Sequence, residues 1–141
     1  YIADINTGEY KNIYAGSNFA KTIFSINSKS QRVPDEKIMA HIIEQNEYTA
    51  IKYDKFKKVY YRFILKSAST SDGNMRWQKK PIAVIVMDDD FNYLGETVIG
   101  TGEEWYWQNS FVTKEGLNIE YIEKEFDEIY LTLKIFTLKD I

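Results

Sequence analysis

The sequence predicts a mainly β fold built of antiparallel four-stranded sheets, with one short helix near residues 35–45. Three observations carry that expectation. Aromatic side chains make up 16% of the 141 residues, with 11 Tyr and 8 Phe, and both types favour strands. Between residues 48 and 100, four strand-like runs follow one another with only polar turns between them. The third of these, 82–87 (Ile-Ala-Val-Ile-Val-Met), is apolar without alternation, as expected of a strand buried on both faces.

Composition bounds the rest. A chain of 141 residues is long enough for a single domain with a real core and too short for two large ones. With 44% hydrophobic and 28% charged residues it is globular in composition, and its net charge of -3 offers no electrostatic footprint for nucleic acid. The absence of cysteine excludes disulfides, thiol catalysis and thiolate metal sites. No run reaches the roughly 18–20 apolar residues of a membrane helix. The chain opens on a strand-like stretch at Tyr1, not on Met, and so reads as a piece of a longer protein.

Taken in order, residues 1–5 and 9–15 flank the turn Asn6-Thr7-Gly8 and predict a hairpin. Residues 22–26 predict a further short strand, and 27–32 a polar loop. Pro34-Asp35-Glu36 opens a helix, because Pro fits its first turn and carboxylates there complement the helix dipole. Ile38, Met39, Ile42 and Ile43 form its apolar stripe. His41 lies off that stripe and has no local partner, so it carries no functional role. Strands follow at 47–53 and 58–66. In the second, Tyr61, Phe63 and Leu65 define an apolar face, and Tyr60, Arg62 and Ile64 an amphipathic one. Residues 67–73 form a loop, 88–92 turn the chain, and 93–99 return beside 82–87. Residues 101–109 predict a loop displaying Trp105, Tyr106 and Trp107. A hairpin at 111–122 turns on Gly116, 123–128 form an acidic loop, and a long strand at 129–138 places Leu131, Leu133 and Ile135 on one face.

A strand buried on both faces needs cover on both sides, and a chain with one helix supplies it by stacking sheet on sheet. Stacked four-stranded antiparallel sheets are the blades of a β-propeller. On that expectation residues 1–26 end one blade, 48–99 form a second and 111–138 most of a third, the whole being one domain over 1–141. A β-sandwich is the alternative. Blade faces left exposed would favour a homo-oligomer.

Three stretches resemble the C-terminal half of six-bladed, TolB-like β-propeller proteins of unknown function from anaerobic Gram-negative bacteria, many of them lipoproteins. They are Tyr53-Asp54 followed by Tyr60-Tyr61-Arg62-Phe63; Met87-Asp88 with Phe91-Asn92-Tyr93-Leu94-Gly95-Glu96; and Phe111-Val112-Thr113-Lys114-Glu115-Gly116-Leu117. The resemblance covers residues 48–138 and implies a place at the cell envelope, no enzyme activity, and no site residues to carry over. The family's N-terminal blades and lipoprotein signal have no counterpart in these residues.

Candidate sites remain to be weighed. Exposed aromatics beside carboxylates suit a sugar ring or a peptide, which makes Trp105, Tyr106 and Trp107, next to Glu103 and Glu104, the leading ligand-binding group. Residues two apart also share one face of a strand, and the competing reading is that Trp105 and Trp107 cover the open end of a sheet. Arg62 with Tyr60 could grip a carboxylate in a cleft, or Arg62 could pair with Asp54 or a neighbouring Glu and stack on tyrosines. Asp88-Asp89-Asp90 lacks the ligand spacing of a calcium loop and reads as a solvated turn. Glu103, Glu104, Glu123, Glu125 and Asp127 would serve a glycan-active enzyme if two of them stood about 5–10 Å apart across a cleft. No nucleophile triad, metal-binding His pair or phosphate loop is present. The functional expectation is a non-enzymatic binding or scaffold module without cofactor or metal, taking a protein or glycan partner.

Overall fold

The computed structural model describes residues 2–20, 22–26, 32–70, 76–123 and 130–139. The architecture is mainly β, with antiparallel sheets and one α-helix. Among the described residues the sheets close into neither a barrel nor a ring.

The first hairpin is smaller than its sequence suggests, pairing only β1 (Ile2–Ala3) with β2 (Tyr10–Lys11). The Asp4 carboxylate accepts the N–H groups of Asn6 and Thr7 at 2.7 and 3.0 Å, and Gly8 takes a φ of 72°. Ile5, Tyr10 and Tyr14 are all exposed, so no buried face extends the ladder. The strand expected at 22–26 does not form. Its backbone bonds to side chains instead: Phe24 N–H donates to the Gln45 side-chain oxygen, and Thr22 C=O accepts from the Asn46 amide. Helix α1 (Asp35–Glu44) falls where Pro34 and its acidic first turn place it. Of its apolar stripe only Ile43 is buried, while Ile38, Met39 and Ile42 remain about 40% exposed.

The four strands read between 48 and 100 form one sheet in chain order: β3 (Glu47–Asp54), β4 (Val59–Leu65), β5 (Pro81–Asp88) and β6 (Tyr93–Thr101). A 3-10 turn at Trp77–Lys79 leads into β5. Both faces of β5 are buried, as its apolar run predicts. Ile82 and Val84 join Tyr61, Phe63 and Leu65 on one side, whereas Ala83, Ile85 and Met87 join Ile64 and Ala20 on the other.

The first of these faces is covered by a second sheet of β7 (Trp105–Thr113), β8 (Gly116–Tyr121) and β9 (Leu133–Phe136), through Trp105, Leu117 and Ile119. The loop expected at 101–109 is therefore a short turn followed by a strand. The final strand is shorter than read; residues 124–129, with Glu125 and Asp127, lie outside the described residues, as do most of the loop at 27–32 and residues 71–75. Leu133 and Ile135 do share a face, but it is the outer one, and Phe136 and Leu138 turn to the core.

The opposite face of the first sheet is covered by a strap, residues 15–20, which carries no regular secondary structure.

Candidate functional site

The five residues singled out by sequence separate onto different surfaces. Trp105 is buried between the two sheets, its ring edge-on to Tyr121 at 5.0 Å and to Phe136 at 5.2 Å. Trp107, two residues on, packs against the same core, 6.3 Å from the ring of Phe63. Tyr106 points the other way and is 42% exposed. Trp105 and Trp107 thus cover a sheet and do not form a displayed pair, because aromatics two apart in a strand share one face.

Tyr60 and Arg62 lie on the opposite side of the first sheet. The Tyr60 ring sits between Phe91 at 4.5 Å and Tyr53 at 4.7 Å. Arg62 does not pair with Asp54. Its guanidinium lies 4.1 Å from the centre of the Tyr48 ring and donates through Nη1 to Ala15 C=O. Asp54 is fully buried on its own errand: it accepts Phe56 and Lys57 N–H at 2.9 and 3.0 Å and the Tyr61 hydroxyl at 3.3 Å, closing the turn between β3 and β4.

Around Arg62 the structure builds a polar clamp that holds the strap. Arg62 stands opposite Ile85, and Ile85 opposite Glu96, so the two charges share a face but lie two strands, roughly 9.5 Å, apart. They form no ion pair with each other, and the strap fits between them. Ser17 Oγ donates to Glu96 at 2.6 Å, Asn18 N–H donates to the same carboxylate at 3.1 Å, and Ser17 N–H donates to the Tyr48 oxygen at 2.7 Å. Ser17 Oγ also accepts Phe19 and Ala20 N–H at 3.0 Å each.

A second charged group went unseen in the sequence. Lys80 is buried, with Nζ donating to Ile42 C=O at 2.7 Å and Gln45 C=O at 2.8 Å, and 3.7 Å from a Glu47 oxygen. It satisfies the carbonyls at the C-terminal end of α1, which have no partner within the helix. Burial lowers its pKa, and the Glu47 carboxylate partly opposes that shift.

Several of the described carboxylates are held in local hydrogen bonds, and Glu125 and Asp127 lie outside the described residues. Glu104 accepts its own turn's Thr101 N–H at 3.0 Å, and Glu123 accepts the Thr132 hydroxyl at 2.7 Å. Asp88 takes the Asn92 backbone N–H and side-chain amide at 2.8 and 2.9 Å, and these bonds lower its pKa. Among the described residues no group of His, Cys, Asp and Glu is placed to hold a metal ion, and no helix is long and apolar enough to cross a membrane.

Burial first, then the Asp54 carboxylate, pushes the Tyr61 phenol up to about 12. A phenol with a raised folded-state pKa contributes stability that is whole below its unfolded value near 10 and is lost as pH rises through about 12. We therefore expect the stability difference between the wild type and Tyr61→Phe to be constant below pH 10. Above it, the difference should shift in favour of the variant. Urea unfolding of both proteins from pH 8 to 11.5 checks this, and parallel pH profiles would refute it.

The strap, α1 and the first sheet up to residue 98 of β6 lie within residues 1–98, which match the family model described as "Domain of unknown function (DUF4221)". The chain belongs to the DUF4221 family. A solved member from Bacteroides vulgatus superposes on this DUF4221 chain with a TM-score of 0.61 at 30% sequence identity. The match covers 75% of this chain and 32% of that one, so the chain spans about a third of the solved relative. No curated protein matches it.

Proposed function

We propose that this DUF4221 chain is a non-enzymatic binding or scaffold module, a set of stacked blades within a longer propeller-type protein of the cell envelope. The observation that carries this reading is the four-stranded sheet β3–β6. Its strands run in chain order, the next sheet begins after a turn of three residues at 102–104, and that sheet packs onto its face. Sheet following sheet along the chain, each covering the last, is how blades succeed one another. The polar groups of the clamp are spent on holding the strap, which suits a scaffold. The envelope location is an extension of the sequence resemblance alone. Of the residues expected to meet a partner, Tyr106 is the one offering a half-exposed ring outside the core, and we assign it to the partner-facing surface.

On this reading the outer face of β7–β9, carrying Tyr106, Phe111, Leu133 and Ile135, each at least 36% exposed, is a surface a further sheet would cover. The chain alone is then expected to self-associate in sedimentation, whereas a chain extended to the length of its Bacteroides relative is expected to sediment as a monomer. A compact monomer of the 141-residue chain would overturn the blade reading.

A further inference from the structure

Outside the stacked sheets, the strap with residues 22–24, the end of α1 and the segments that follow α1 and β4 border an open cleft of about 490 Å³. That volume suits a compact ligand and not a long peptide. Its walls are tied together by hydrogen bonds. The Gln45 side-chain oxygen accepts Phe24 N–H at 2.8 Å, and Asn46 spans the cleft by donating to Thr22 C=O and accepting Ser67 N–H, each at 3.0 Å. Glu44 accepts the Thr70 hydroxyl. A cleft braced in this way is pre-organised, so little ordering cost falls on a ligand.

Apart from the Glu44 carboxylate, which Thr70 engages, two kinds of group face it. Phe19 and Phe24 are 58% and 62% exposed, unusual for phenylalanines that line a concavity. Lys66 holds its ammonium 4.9 Å from the centre of the Phe19 ring and makes no ion pair among the described residues. An ammonium without a counter-charge among the described residues calls for an anion, and an exposed ring calls for a flat apolar surface. Around both run amides and hydroxyls from Asn18, Thr22 and Ser67, which suit a ligand polar at its edges. A pyranose ring bearing a carboxylate combines these features: an apolar C–H face, hydroxyl edges and one negative charge.

We propose that this cleft binds an acidic sugar of the uronic acid class, with Lys66 meeting the carboxylate and Phe24 the face of the ring. The proposal rests on the reading of the chain as a binding module, and it names that module's site and ligand class.

The test is a titration of the full chain with galacturonate and glucuronate oligosaccharides, with neutral glucose oligosaccharides of equal length, and with an acidic phenylalanine-containing peptide, followed by calorimetry. The uronates are expected to bind at least about tenfold more tightly than the neutral sugars, and to weaken as salt is raised. Lys66→Gln is expected to remove that preference, and Phe24→Ala to weaken both sugars. Phe24 is 62% exposed, and Lys66, partly buried, keeps most of its stem as glutamine, so both replacements are expected to leave the fold intact, which the thermal midpoint checks. Equal affinity for charged and neutral sugars, indifference to both substitutions, or binding of the peptide alone would each overturn the proposal. So would no binding by any probe. Should the uronates fail while the chain self-associates in sedimentation as expected, the cleft assignment falls and the blade reading stands.

Discussion

Gly116→Ala is expected to destabilise the protein by about 3–5 kcal/mol, a large share of the roughly 5–15 kcal/mol that holds a typical domain together. Gly116 opens β8 with a φ of 149°, a conformation an L side chain rarely adopts. An added Cβ would lie 2.3 Å from Phe136 C=O and 3.4 Å from the Ile135 side chain. Strain and collision therefore act together, and the obstacle is backbone, which cannot swing aside. Relief requires β9 to move away from β8, and that loosens Phe136 from Trp105 and Trp105 from the core between the sheets. Gly95→Ala is the matched control. Gly95 also lies in a strand, has open space around its Cβ position and has no positive φ, so alanine there is expected to be neutral or mildly stabilising. Urea unfolding of both variants separates the outcomes, and a Gly116→Ala midpoint equal to that of the wild type would mean that β9 does not approach β8 as described.

The central sheet was legible because its signals are local. Alternation in β4 sorted Tyr61, Phe63 and Leu65 from Tyr60, Arg62 and Ile64, and the unbroken apolar run in β5 announced burial on both faces. Helix α1 was equally readable from Pro34 and the carboxylates of its first turn. Trp105 was misplaced because Glu103 and Glu104 before it read as loop, whereas they belong to a turn three residues long and the aromatics beyond it already alternate inward and outward. Residues 22–26 have the composition of a strand, but their backbone partners are the side chains of Gln45 and Asn46, which only the fold brings alongside.

The clamp and the cleft were hidden for the same reason. Ser17 and Glu96 are 79 residues apart, and nothing near either one announces the other. Arg62 could be recognised as a group needing a partner, but its partners are a ring on the neighbouring strand and a carbonyl from a strap without regular structure. Hydrogen bonds to irregular backbone leave no periodic trace in a sequence. The cleft likewise draws its walls from three separate stretches of chain, so Lys66 and Phe24 carry no shared signature.

Lys80 shows the same limit most sharply, and its replacement is the second large effect expected. A lysine followed by proline in a run of polar residues reads as surface, yet this one is only 1% exposed because the end of α1 arrives over it. Lys80→Met keeps most of the stem and removes the ammonium, leaving Ile42 and Gln45 C=O without this donor. We expect a loss of about 2–4 kcal/mol, since bonds to a charged donor are among the stronger ones and a buried acceptor left unpaired carries its own penalty. The damage should be local first. Amide exchange in α1 is expected to accelerate while that in β4 and β5 stays protected, because the helix is fastened through Lys80 and the central sheet through its own two cores. Glu47→Gln provides the discriminating comparison: the Glu47 side chain is 53% exposed and stands 3.7 Å from Nζ, so its removal should cost at most about 1 kcal/mol. A Glu47→Gln loss equal to that of Lys80→Met would assign the stabilisation to the ion pair. The ranking expected here assigns it to the two helix carbonyls.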